Sequence, residues 1–194
     1  MQSTEALDLD LGDDFTVEAW LRIDSADAHG IIVAYRGVGT SGWSLSLDMQ
    51  SRFVFGFFDN NGEWHEVTGA DAGDLDPGWH HVAGTKNGSS LYLHADGVAA
   101  TAPCAMAASA PTVPLVIGGS ADDELVFVAV DDLRLSNVAR YQAAFDPQAE
   151  IAADPSTAVL VVFDEGDGTT TFDTTGQITF DLQGGTWTPG NTES

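Results

Sequence analysis

The strongest constraint in this chain is an apolar pattern with a period of two. From Phe15 to Ile23 every odd position is apolar (Phe15, Val17, Ala19, Leu21, Ile23), while the even positions hold Thr16, Glu18, Trp20 and Arg22. Strand side chains alternate between faces, so this segment buries one face and turns the other outward. The pattern recurs between short turn signals. Arg52 to Phe58 and Glu63 to Thr68 flank Asp59-Asn-Asn-Gly62, in which Asn61-Gly62 suits a type I′ turn. Trp79 to Lys86 and Ser89 to Ala95 flank Asn87-Gly88, and Val98 to Thr101 follows Asp96-Gly97. Further strands are expected over Pro114 to Ile117, Leu125 to Val128, Val130 to Leu135 and Val159 to Phe163, with two or three more in 164–189. Helical signal is limited to one or two turns over Asn137 to Ala144, ended by Asp146-Pro147. Residues 102–111 read as a loop of small residues. One-sided strands joined by short turns specify an all-β fold. Two packed antiparallel sheets, a jelly-roll β-sandwich, fit better than an open barrel.

The 194 residues make one domain, 1–194, with 145–157 a connecting segment and 158–190 C-terminal strands that complete the sandwich. Six basic residues face 30 acidic ones, for a net charge of −24, and Lys86 is the single lysine. Nucleic acid is excluded as a partner, because binding phosphates requires clusters of Lys and Arg. Anionic membranes are disfavoured for the same reason, and no apolar run is long enough to span a bilayer. Residues 1–20 carry no basic and apolar leader pattern, as expected of a piece of a longer chain, a chain without its export signal, or one not exported in the usual way. Cys104 is the only cysteine, so no intrachain disulfide forms. It sits among small residues with no base beside it and reads as an inert thiol.

Five motifs resemble the laminin G-like, concanavalin A-like jelly-roll family, in the family's order. They are Asp14-Phe-Thr-Val-Glu-Ala-Trp-Leu21, Gly78-Trp-His-His-Val-Ala-Gly-Thr85, Leu91-Tyr-Leu-His-Ala-Asp-Gly97, Pro114-Leu-Val-Ile-Gly-Gly119 and Val130-Asp-Asp-Leu-Arg-Leu-Ser-Asn137. The continuation Val138-Ala-Arg-Tyr141 with Phe145-Asp-Pro147 is similar to versions in bacterial surface proteins and phage particles. Phe163-Asp-Glu-Gly-Asp-Gly-Thr169, Asp173-Thr-Thr-Gly176 and 184–190 resemble a segment that often flanks such domains. The resemblance implies a role in binding glycans or proteins at surfaces, often with calcium, and a location outside the cell, on a cell surface or on a phage particle. It does not name a ligand.

Asp131 carries the metal question. Simple alternation from Val130 to Leu135 puts it on the apolar face with Leu133 and Leu135, where a carboxylate needs calcium, backbone amides or an arginine. Calcium takes six to eight oxygens. The expected companions are Asp164, Glu165 and Asp173, with Asp8 and Asp10 as further acids on a strand near the start. No EF-hand spacing is present. His80 and His81 are adjacent in a strand and so point to opposite faces, which disfavours a shared zinc ion.

Sugar binding would use aromatic faces. Trp20 shares the outward face of its strand with Glu18 and Arg22, and these three with Trp64 are the expected ligand contacts. Trp43, Phe58 and Trp187 are further candidates, whereas Trp79 and Phe53, Phe55 and Phe57 are assigned to packing. Asn87-Gly-Ser89 matches a glycosylation sequon but reads as a hairpin turn. No carboxylate spacing of the glycanase type occurs. Glu63 and Glu66 lie an odd number of residues apart and face opposite ways, so no catalytic residues are assigned. A non-catalytic recognition module is expected, probing a glycan or a cell-surface or particle protein. A structural domain of a filament or virion is the alternative, and a glycanase or lyase comes third.

Overall fold

The computed structural model describes residues 1–9, 11–25, 28–37, 41–104, 108–119, 126 and 128–191. Asp10, and Leu125 and Phe127 of the expected 125–128 strand, lie outside the described residues. The strands are β1 (Gln2–Ser3), β2 (Phe15–Ile23), β3 (Gly30–Arg36), β4 (Gly42–Leu47), β5 (Arg52–Phe58), β6 (Trp64–Asp71), β7 (Trp79–Asn87), β8 (Ser90–Ala95), β9 (Val98–Pro103), β10 (Val116–Ile117), β11 (Val128–Ser136), β12 (Thr157–Val161), β13 (Thr170–Phe172) and β14 (Thr179–Asp181). They form two antiparallel sheets, ordered β13-β14-β1-β10-β3-β4-β5-β6 and β12-β11-β2-β7-β8-β9. The architecture is the jelly-roll sandwich expected from the pattern.

The core lies between the sheets. Phe15, Val17, Ala19 and Leu21 of β2 are buried against Phe53, Phe55 and Phe57 of β5. Gly84 of β7 is required there, because a Cβ at that position would run into the Phe55 ring. Trp43 is buried beside Phe15 at 6.1 Å and is therefore a core residue, which removes it from the candidate ligand contacts. Lys86 also turns inward. Its Nζ donates to Asp13 O at 2.6 Å and Gly88 O at 3.2 Å and lies 5.4 Å from the Phe57 ring, so the single lysine closes one end of the core.

Two turns differ in an instructive way. Asp96 and Gly97 both have positive φ (47° and 75°), as a type I′ turn requires. At Asn61-Gly62 only Gly62 does, with φ 79°, and Asp59 Oδ1 accepts the Asn61 and Glu63 amides. The expected type I′ turn is thus replaced by a longer loop built on an aspartate. Leu7 makes a single bridge to Val113, so among the described residues the acidic strand expected at 7–11 is reduced to that contact.

The expected helix over 137–144 is absent: the residues are bends and extended chain. Their backbone groups are used by the sheet instead of by one another. Thr16 Oγ1 donates to Val138 O and accepts from Arg140 N, both at 2.9 Å. The chain from 137 to 156 runs as a strap over the outward face of the six-stranded sheet. Phe145 N donates to Gly97 O, and Asn137 N to Ser156 O. β12 then pairs with β11, while β13 and β14 join the other sheet through β1.

Candidate functional site

Register along β2, β7 and β11 decides which side chains meet outside the core. Glu18 lies opposite Ala83 and Arg134, Trp20 opposite His81 and Asp131, and Arg22 opposite Trp79 and Ala129. The Asp131 placement is a correction. β11 carries an extra residue between Asp131 and Arg134, with Asp132 at φ 49°. This β-bulge resets the alternation. Asp131 therefore shares the outward face with Trp20 and Arg22, while Leu133 and Leu135 point into the core.

Beneath the strap is a closed polar network. Glu18 is fully buried. Its Oε1 accepts from Arg134 Nε at 2.9 Å and Nη2 at 2.7 Å; its Oε2 accepts from the Tyr141 hydroxyl at 2.7 Å and His81 Nε2 at 3.0 Å. Arg140 lies 3.8 Å from the same carboxylate and forks onto Asp154 at 2.7 and 2.8 Å. Burial pushes the Glu18 carboxyl up, but the His81 hydrogen bond, Arg134 and Tyr141 outweigh it and hold the carboxyl below its ordinary range. Tyr141 stacks on Phe145 at 3.9 Å, and that pair caps His81 and His94. Glu18 is thus unavailable to a ligand: its place on the outward face does not bring it to solvent, because the strap covers it. Trp20 is half-buried at the strap's margin, with Nε1 donating to Gln148 O at 3.2 Å and its ring 5.6 Å from His81.

At the Arg22 end the face is open. β12 pairs with β11 only from Leu133 to Ser136. Alongside Val128 to Asp131 lie residues of the C-terminal segment, and a cleft of about 600 Å³ runs between them. Arg22, Trp79, Asp131, Asp164 and Trp187 line it. The Arg22 guanidinium sits 5.3 Å from the Trp79 ring centre, a cation–π contact set by their cross-strand register. Arg22 Nε donates to Asp24 Oδ1 at 3.2 Å and NH2 to Thr188 Oγ1 at 3.2 Å. Trp187 is fixed by Nε1 donating to Gly168 O at 3.0 Å and stays half-buried, as does Trp79.

The two adjacent aspartates of the bulge each hold a segment to the sheet. Asp131 Oδ2 accepts from Asn191 N at 2.8 Å and Oδ1 from Asp132 N at 3.1 Å. A Cβ at residue 190 would collide with Asp131 Oδ2, so Gly190 allows this approach. Asp132 Oδ2 accepts from Ile151 N of the strap at 3.1 Å. Burial, followed by the carboxylates of Asp131, Asp164 and Glu150, pushes the Asp132 carboxyl up to about 6.

The four acids expected to hold calcium are not assembled. Asp131 and Asp164 line the cleft. Glu165 Oε1 instead accepts from Thr171 Oγ1 at 2.7 Å and from Phe172 N at 3.3 Å. Asp173 closes the β13–β14 hairpin, accepting from Thr175 Oγ1, Gln177 N and Ile178 N. Among the described residues no group of three or more His, Cys, Asp or Glu side chains converges as a metal site. Backbone and hydroxyl donors thus occupy Glu165 and Asp173, away from Asp131.

The expected ligand contacts are likewise divided. Arg22 lines the cleft. Trp64 lies on the other sheet, at edge strand β6, 4.8 Å from Phe58 and 5.6 Å from Arg36, with Nε1 donating to Glu66 at 2.7 Å. Asp8 is exposed and away from the cleft lining. His80 is engaged by Asp96 and Asp76, while His81 faces Glu18. Cys104 is buried, which raises its thiol pKa. Trp79, assigned to packing from its motif, proves to be a cleft wall. Its parity carried the signal: Val82 and Gly84 point inward, so Trp79 must point outward.

The profile of the laminin G-like family, described as the concanavalin A-like lectin/glucanases superfamily, matches residues 2–144. Domains LG4-5 of the mouse laminin α1 chain superpose with a TM-score of 0.56 at 21% identity, over 74% of this chain and 40% of that one. The binding domain of botulinum neurotoxin serotype D gives 0.52 at 15% identity, over 66% and 34%. The binding domain of botulinum neurotoxin DC, in complex with SialylT, gives 0.51 at 14%, over 66% and 33%. At such identities the likeness is one of fold, and this chain spans well under half of each of these solved chains. No curated protein sequence matches it. The matched residues hold all five motifs and most of both sheets, and the chain belongs to the laminin G-like family of the concanavalin A-like lectin/glucanase superfamily.

Proposed function

We propose that this domain is a non-catalytic recognition module that binds carbohydrate in the cleft beside β11, and that it acts outside the cell or on a particle surface. The cleft carries the reading: about 600 Å³ of open space flanked by two half-buried indoles and an Arg22–Asp24–Thr188 set. Ligand sites commonly occupy roughly 300–1,000 Å³ and combine apolar walls with a few placed polar groups. Indole faces suit sugar C–H surfaces, and a fixed guanidinium, hydroxyl and carboxylate suit sugar hydroxyls. Fold neighbours that are themselves binding domains support the class. Asp131 is a poor candidate for catalysis, since backbone amides engage both of its oxygens.

A glycan array run with the native domain and with Trp187→Ala, each in calcium and in EDTA, tests this. The expected result is binding to one sugar class, at least tenfold weaker in the variant and unchanged by EDTA. Loss in EDTA would mean that a metal acts at the cleft after all. Absence of binding under every condition would point to assembly through a protein partner.

A further inference from the structure

We infer that the cleft selects glycans that carry no negative charge: neutral or amine-bearing sugars are accepted, and sialylated, uronate-containing or sulfated ones are rejected. The inference rests on the reading of the cleft as a glycan site and adds the substrate class.

Anion recognition in proteins uses clustered basic side chains, with arginines often in bidentate pairs. Arg22 is the only Arg or Lys side chain among the described residues that line the cleft. Two of its five N–H donors are engaged, Nε by Asp24 and Nη2 by Thr188, and the guanidinium lies over Trp79. Asp24 pairs with this cation at the surface, so one shared positive charge is all that an anionic sugar meets there. The Met1 amine at the wall donates to Ile117 O, and burial lowers its pKa.

Against these stand the carboxylates of Asp24, Asp131 and Asp164 on the same cleft. A bound sugar lies within about 8 Å, one Debye length at physiological ionic strength, of the groups that line its site. The screened field of the rest of the molecule has the same sign, with 30 acidic residues against six basic. The raised Asp132 carboxyl, next to Asp131, agrees: after burial, its neighbours' negative charge pushes its pKa up.

The test is an array of cello-, xylo- and malto-oligosaccharides, chitosan oligosaccharides, sialyllactose, oligogalacturonates and heparin fragments. It is read with the native domain, Trp187→Ala and the double variant Asp24→Asn/Asp164→Asn. The expected hits are neutral or amine-bearing and lose at least tenfold in Trp187→Ala. In the double variant Arg22 is released, and binding of the anionic sugars rises several-fold and falls again with added salt. Should Trp187→Ala unfold, Thr188→Tyr fills the cleft from an exposed position and gives the same readout. An anionic glycan bound by the native domain and lost in Trp187→Ala would overturn the charge selection while leaving the glycan site standing. If no glycan of any charge is sensitive to the cleft variants, the site reading fails and the inference with it.

Discussion

Glu18 and Arg22 stand four residues apart on the same face of the same strand, yet they meet opposite fates. At Glu18 the strap 137–156 lies over the sheet, and the carboxylate is closed in by two arginines, a histidine and a tyrosine. At Arg22 the strap has passed by, β12 does not reach, and the face opens into a cleft. The strand supplies polar groups equally at both ends. What lies over the strand turns one end into a structural lock and leaves the other as a site. A buried ion pair is weak grounds for net stability, but breaking one is costly, so the two ends should respond differently to substitution.

The largest effect is expected at the closed end. Glu18→Ala leaves Arg134 buried without its carboxylate and should cost about 3–5 kcal/mol, read as a fall in Tm and denaturant midpoint with glycan binding preserved wherever the domain remains folded. Asp131→Ala strands the Asn191 amide and should cost about 1–3 kcal/mol. Limited proteolysis should then cut near residue 190 well before the strap.

Proton linkage at Asp132 makes stability depend on pH. The folded carboxyl sits at about 6, against about 3.9 unfolded, so the folded state holds the proton more tightly. Its contribution is full below the unfolded pKa and is lost as pH rises through about 6. Asp132→Asn keeps an acceptor for Ile151 N and tolerates positive φ. It should be more stable than the native domain by about 1–2 kcal/mol at pH 8, with the gap closing by pH 4 in thermal melts. At the open end the effect on stability is smallest: Trp187→Ala should change it by no more than about 0.5–1 kcal/mol while weakening glycan binding. A large loss of stability there would erase the contrast between the two ends.

Much of the fold was readable because period-two alternation is a local property. β2 and the Asp96-Gly97 turn follow directly from their residues. The strap was not readable: residues 137–156 have no periodicity, and their backbone groups are satisfied by side chains distant in sequence, such as Thr16 and Asp132. Asp131 was misplaced because a single left-handed residue, Asp132, reverses every later position. The candidate site was legible only in parts. Arg22 and Trp187 stood among the candidate residues, but their convergence depends on the C-terminal segment folding back beside β11. Trp79 could have been found from parity alone.

A ligand in the cleft should sit between Trp79 and Trp187. The five tryptophans give five indole N–H signals. A two-dimensional NMR titration with mixed neutral oligosaccharides reads each of them separately. The Trp79 and Trp187 signals are expected to shift together and saturably while those of Trp43 and Trp64 stay fixed. Shifts at Trp64 with Trp79 and Trp187 unmoved would place recognition on the other sheet and contradict this placement.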